Sequence, residues 1–142
     1  MRILLDTDVV SLLAPERSPV SSVFRNWVEE NTDRLFLSVV TIAEVERGIR
    51  KLKRAGQQRK ARAIESWFKA IVELHGDRVM PFDVEAAWIA GRLDDEATAK
   101  GFNILLADVA IAATAARHGM AVATRNARRF RPLGAKLIEL PL

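Results

Sequence analysis

Five short apolar runs, separated by helix-length amphipathic stretches, constrain this chain more than any other feature. They are RILL at residues 2–5, LFLS at 35–38, RVMPF at 78–82, MAVAT at 120–124 and KLIEL at 136–140. Each is short and nearly continuous in its hydrophobicity, the pattern of a strand buried on both faces. Strands that alternate with helices need crossover connections. The expected architecture is therefore α/β, a mostly parallel sheet of four to five strands with helices on both faces.

The helical stretches carry their own signals. Ser18 and Pro19 have the cap-then-proline order of a helix start, ahead of a stripe of Val20, Val23, Phe24, Trp27 and Val28. Thr41 and Glu44 have capping-box spacing before Ile42, Val45, Ile49 and Leu52. A further stripe, Ile64, Trp67, Phe68 and Ile71, runs to His75-Gly76, and Asp83 is placed to cap a helix whose apolar face reads Val84, Ala87, Trp88 and Gly91. On these patterns Trp27, Trp67 and Trp88 are expected in the core. Residues 108–118, DVAIAATAARH, form a small-residue helix suited to close packing on a sheet, ending at Gly119. Both histidines precede a glycine at a helix end, where imidazolium complements the helix dipole, which argues against a metal-independent two-histidine ribonuclease.

With 142 residues the chain has the length of one compact domain spanning 1–142, and at 49% hydrophobic residues it can bury a core without crosslinks. It has no cysteine, which excludes disulfides, thiol catalysis and cysteine-ligated zinc. No apolar run reaches membrane-spanning length, and Asp6 and Asp8 interrupt any signal-peptide core, so a cytoplasmic protein is expected. Lys and Arg outnumber Asp and Glu by 22 to 18. A basic balance favours a polyanionic partner, although a solvated basic surface has the same composition. Residues 50–62, RKLKRAGQQRKAR, hold seven Lys or Arg and no acid. Such a run is more often a solvated face than an RNA track.

Sites in parallel sheets lie beyond the carboxyl ends of the strands. Asp6 follows the first run, Glu44 comes shortly after the second, Asp108 opens the small-residue helix, and Asn126 follows the fourth. Acids distant in sequence thus meet at one edge. Converging carboxylates repel one another and stay ionised when a divalent cation sits among them. An all-oxygen donor set suits Mg²⁺ or Mn²⁺, which activates water and stabilises a leaving oxygen in phosphodiester cleavage. Each acid also has an ordinary structural reading. Asp6 and Asp108 can be helix caps, Glu44 can be the third residue of a capping box, and helical geometry alone does not separate Glu44 from Glu46.

The stretches ILLDTDVVS, LFLSVVTIAEVERGI and LLADVAIAATAARHGMAVATRN resemble, in order, the three acidic motifs of the PIN-domain family, of the VapC/FitB toxin ribonuclease type. The resemblance runs from residue 2 to about 140. It implies a three-layer α/β/α PIN-like fold and a Mg²⁺- or Mn²⁺-dependent endoribonuclease with catalytic, metal-holding Asp6, Glu44 and Asp108. It further implies a homodimer neutralised by a cognate antitoxin, with operator DNA bound only through that antitoxin. Thr7, Thr124, Arg125 and Arg128 are candidates for phosphate or RNA contact. The sequence departs from the family at Asn126 and Arg129, where members often carry a further acid, and Asp8 stands where Asn is usual. Asp8 and Asn126 are therefore possible additional ligands.

Two other readings remain. DTDVV also resembles the opening motif of haloacid-dehalogenase-type phosphatases, with Asp6 as nucleophile, Asp8 as acid/base and Ser38 as the second motif. No lysine motif or paired-acid final motif follows. The third reading is a PIN scaffold that binds RNA or a protein without cleaving.

Overall fold

The computed structural model describes every residue except Glu16 and Ser18. Strands β1 (Ile3–Leu5), β2 (Leu35–Ser38), β3 (Val79–Met80), β4 (Ala121–Ala123) and β5 (Leu137–Ile138) form one sheet in the order β3-β2-β1-β4-β5. All four pairings are parallel. The runs expected from sequence are all strands, each trimmed at its ends. The chain builds outward from β1 through β2 to β3, then returns to place β4 on the other side of β1. Strand order therefore reverses between β1 and β4, the point at which a parallel sheet opens a crevice at its carboxyl edge.

Seven α-helices are present among the described residues: α1 (Thr7–Ser11), α2 (Ser22–Asn31), α3 (Val39–Arg54), α4 (Gln58–His75), α5 (Val84–Ala99), α6 (Leu106–His118) and α7 (Ala127–Phe130). Alternation along β1 sorts them into two layers. Leu4 faces a core with Ile111, Val109, Val122, Phe130 and the alanines of α5 and α6. Ile3 and Leu5 face the opposite core, with Phe24, Leu37 and Phe68. The result is the three-layer α/β/α arrangement expected from sequence. Residues 108–115 of α6 are all buried. A helix apolar on every side belongs between the sheet and another helix, and its alanines let the backbones approach. Gly119 ends α6 in the left-handed region at φ 65°, which a side chain would strain.

Several local expectations are corrected. Ser18 lies outside the described residues. α2 begins at Ser22, where the Ser21 hydroxyl accepts a hydrogen bond from Phe24 N. α3 starts three residues before the expected capping box. Its N-cap is Ser38, which accepts from Val40 N, so Thr41 is a buried helix-interior residue and Glu44 is free of any capping role. α4 begins inside the basic run, so residues 50–62 form the tip of an α3–α4 hairpin. Asp83 does cap α5, accepting from Ala86 N. The face α5 buries, however, is Ala86, Ala90 and Ala97, and Trp88 is 70% exposed. The helix packs through alanines because α6 presents alanines too, with Ile89 and Leu93 packed at the edge of that face and Val84 and Trp88 left outside.

Candidate active site

The site is built at the switch point. Leu5 pairs with Ala123, and Asp6 N donates to the Ala123 carbonyl at 2.9 Å, so Asp6 and Thr124 leave their strands side by side. Asp6 is 2% exposed and is the N-cap of α1. One of its oxygens accepts from Thr7 N at 2.8 Å and the other from the Thr124 hydroxyl at 2.8 Å. Asp6 is thus a helix cap that also lines the cleft described below. Burial pushes its carboxyl up to about 7; the charge of Asp8 adds to the rise, the Thr124 hydrogen bond opposes it, and Asp108 contributes last.

Glu44 projects from the second turn of α3. Its Oε1 accepts from the Thr7 hydroxyl at 2.6 Å, and Thr7 Oγ1 lies 3.0 Å from Thr41 Oγ1. A hydroxyl has one proton to give. With that of Thr7 committed to Glu44, the Thr41 hydroxyl donates to Thr7. This short chain ties α1 to α3 and selects Glu44 over Glu46, which pairs instead with Arg50 on the exposed face at 2.8 Å.

Asp108 is 3% exposed in the first turn of α6. It is not the N-cap, a position held by Leu105 without a side-chain hydrogen bond. Its Oδ2 accepts from Arg129 Nη1 at 3.1 Å. Burial raises the Asp108 carboxyl above its ordinary value; the Arg129 charge opposes that, while Glu44 and Asp8 push further upward. Asp8 accepts from the Asn126 amide at 2.5 Å and lies 3.8 Å from Arg125 Nε. Its other oxygen, Oδ1, is buried with no partner.

Asp6, Thr7, Asp8, Glu44, Asp108, Arg125 and Arg129 line one open cleft of about 340 Å³, together with Ser11 and Arg17. Four carboxylates and three guanidinium groups face the same space. Among the described residues, no three acid or histidine side chains are already gathered into a metal-binding group. Each carboxylate instead accepts a hydrogen bond from its own side-chain donor: Asp6 from Thr124, Asp8 from Asn126, Glu44 from Thr7 and Asp108 from Arg129.

The two candidate threonines both hydrogen-bond acids, and of the two only Thr7 also lines the cleft. Thr7 holds Glu44; Thr124 holds Asp6 and accepts from Asn126 N at 2.9 Å. Arg125 lines the cleft, whereas Arg128 is exposed and does not. Thr41, Ser11, Arg17 and Arg129 were not among the expected site residues. No sequence signal marks Thr41, since its role depends on α3 starting early. Ser38, the second motif of the phosphatase reading, is fully buried as a helix cap and lies outside the cleft lining.

Comparison with known proteins agrees with this geometry. The PIN domain family model matches residues 3–136. The chain is 34% identical to the VapC ribonuclease Y4jK of Sinorhizobium fredii over 141 residues, covering 96% of each protein. It is 33% identical to the toxin FitB of Neisseria gonorrhoeae over 129 residues, covering 90% of each. The crystal structure of FitAcB from Neisseria gonorrhoeae superposes with a TM-score of 0.84 at 30% identity, covering 96% of both chains. With motifs, topology and relatives in agreement, the chain belongs to the PIN-domain family, on the branch of the VapC ribonucleases and the FitB toxin.

Proposed function

We propose that this chain is the toxin of a toxin–antitoxin pair, a metal-dependent endoribonuclease that works as one domain over residues 1–142. The observation that carries the reading is the meeting of Asp6, Asp8, Glu44 and Asp108 in one cleft at the sheet's switch point. The donor set fits a hard divalent cation. Every candidate ligand is an oxygen, one buried oxygen of Asp8 has no partner, and burial together with the charge of Asp8 pushes the Asp6 carboxyl up to about 7.

Asp6, Glu44 and Asp108 would hold Mg²⁺ or Mn²⁺, with Asp8 a further candidate. When bound, the cation supplies Lewis-acid stabilisation of the phosphodiester and lowers the pKa of attacking water. The protein's own groups do the positioning. Thr7 N and Thr124 fix the rotamer of Asp6, and the Thr41–Thr7 chain aims Glu44. Asn126 aligns Asp8 through its amide N–H, which leaves its carbonyl oxygen as a further candidate ligand. Arg17 and Arg125 stand at the rim, where RNA phosphates would pass.

The partners follow from the same reading: RNA as substrate, a cognate antitoxin, operator DNA only through that antitoxin, and a second copy of the chain. Exposed apolar residues at the N-terminal ends of three helices support a protein interface beside the cleft: Val39 on α3, Val84 and Trp88 on α5, and Leu105 and Leu106 at α6. No helix among the described residues is long and apolar enough to cross a membrane, and a cytoplasmic location fits an RNA substrate.

The test is cleavage of RNA by the purified protein in Mg²⁺, in Mn²⁺ and in EDTA, with Asp6→Asn, Glu44→Gln and Asp108→Asn alongside. Cleavage should require the metal, and each variant should lose most of it, with strongly non-additive double variants. Full activity in EDTA overturns the metal mechanism.

A further inference from the structure

Three arginines reach the acid cleft, and they are not equivalent. Among the described residues Arg17 lines it without a carboxylate bond, and Arg125 stands 3.8 Å from Asp8, beyond hydrogen-bond distance. Arg129 alone among them donates to a carboxylate, Nη1 to Asp108 Oδ2 at 3.1 Å. The pair is asymmetric in burial: the Asp108 side chain is 5% exposed and that of Arg129 39%. The carboxylate is fixed in the protein wall, and the guanidinium reaches it from the solvent side. Arg129 sits on α7, a single turn whose next residue, Phe130, is completely buried. The backbone of the arginine is therefore anchored, while its partly exposed side chain reaches from it to Asp108.

We propose that Arg129 is the resident counter-ion of the cleft: it neutralises Asp108 while the site lacks a divalent cation, yields the carboxylate when the cation arrives, and then contacts a non-bridging oxygen of the RNA phosphate. The inference rests on the metal-dependent nuclease reading. Its physical basis is competition for one carboxylate. A guanidinium and a divalent cation both seek Asp108 Oδ2, so each weakens the other, and the coupling is reciprocal. Once displaced, Arg129 is a planar donor fork tethered at the rim of the cleft, well matched to phosphate. The same side chain thus has opposite effects on two steps. It lowers affinity for the cation and raises affinity for the phosphate in the transition state. A merely structural residue would move both in the same direction or neither.

The experiment pairs calorimetric titration of Mn²⁺ into the full chain with RNA cleavage at saturating Mn²⁺. Arg129→Gln should bind Mn²⁺ about five- to tenfold more tightly than wild type, as expected for removing one partly exposed competing charge. Its cleavage rate should nevertheless fall about tenfold or more. Arg129→Lys keeps the charge but not the fork, so its Mn²⁺ affinity should stay within about twofold of wild type and its cleavage should recover only in part. A third measurement uses wild type alone. In a Mg²⁺ titration followed by NMR of arginine Nε–H groups, the Arg129 resonance, identified by its loss in Arg129→Lys, should shift with the midpoint of metal binding. Unchanged or weakened Mn²⁺ affinity in Arg129→Gln, undiminished cleavage, or a resonance unmoved at saturating Mg²⁺ each overturns the role of Arg129 and leaves the nuclease reading intact. Wild-type protein that neither binds Mn²⁺ nor cleaves RNA overturns both.

Discussion

Asp6→Asn should make the metal-free protein more stable at pH 8 while it removes cleavage. The unfolded carboxyl titrates at 3.8, and in the fold burial raises it to about 7, with the charges of Asp8 and Asp108 adding to the rise. A raised acid pKa means that the native chain binds more protons than the unfolded chain between these values. Native stability therefore falls as pH rises from about 4 to about 7, and the loss is complete above that window. Three pH units at 1.36 kcal/mol each set a ceiling on the order of 4 kcal/mol for the penalty. An amide carries no charge to desolvate. Its oxygen can still accept from Thr7 N, and its NH₂ can donate to Thr124 Oγ1 in place of the present bond. Because that reversal costs some geometry, we expect a net gain of roughly 1–3 kcal/mol at pH 8 and almost none near pH 4, where the acid is already neutral. Urea unfolding in EDTA, followed by tryptophan fluorescence at both pH values, measures the difference. Adding Mg²⁺ to about a hundred times its Kd should restore roughly 2.7 kcal/mol to wild type and little to the variant. A variant that is destabilised equally at pH 8 and pH 4 would refute the claim that Asp6 is a strained, cation-seeking carboxylate.

Asn126→Asp replaces the amide donor to Asp8 with a second carboxylate, so its thermal midpoint in EDTA should drop and its cleavage should saturate at lower Mg²⁺ than wild type; coincident Mg²⁺ curves would place residue 126 outside the metal's reach. His75 is held below its ordinary 6.5 by burial, with its bond to the Ile71 carbonyl opposing and Arg78 assisting. A depressed histidine pKa means that the unfolded chain binds the extra proton, so stability should fall as pH drops below about 6.5, and His75→Gln should flatten that slope in chemical unfolding measured from pH 7.5 to 5. Light scattering should give a dimer for wild type and a monomer for Trp88→Arg with circular dichroism unchanged, because this side chain is 70% exposed and supports no core; a monomeric wild type would overturn the dimer, and a dimer that persists in the variant would move the interface elsewhere.

The sheet was legible because its strands are buried on both faces. Runs such as LFLS and MAVAT have to be continuous to fill two cores, as Ile3, Leu4 and Leu5 do by alternating between them. The helices were legible where one face meets the sheet through large residues, as with Phe24 and Phe68. α5 misled because its partner is α6, a helix of alanines. Two small-residue faces pack best against each other, so the stripe containing Trp88 lies on the opposite side. Period alone identifies a stripe; it does not say which stripe is buried when a helix carries a small one and a large one.

The acids were legible from order and topology together, because a strand's carboxyl end is a position that sequence can mark. What holds them was not. Thr41 became a partner of Thr7 only because Ser38 starts α3 three residues earlier than the capping-box pattern suggests, which turns Thr41 inward and leaves Glu44 aimed at the cleft. The pairing of Arg129 with Asp108 joins residues 21 apart across α6 and β4 and depends on the buried Phe130 fixing α7. Arginine in a basic loop reads as surface charge in any sequence. Its meaning here comes from the 5% exposure of the side chain it meets. A buried carboxylate near a single cation has to choose between neutralising itself and holding that cation. Asp108, raised by burial yet paired to Arg129, sits at that choice, as does Asp6 without an arginine of its own. The two acids should therefore respond alike to loss of positive charge in the cleft. Removing Arg129 leaves Asp108 as poorly compensated as Asp6, and a divalent cation then becomes the better partner for both.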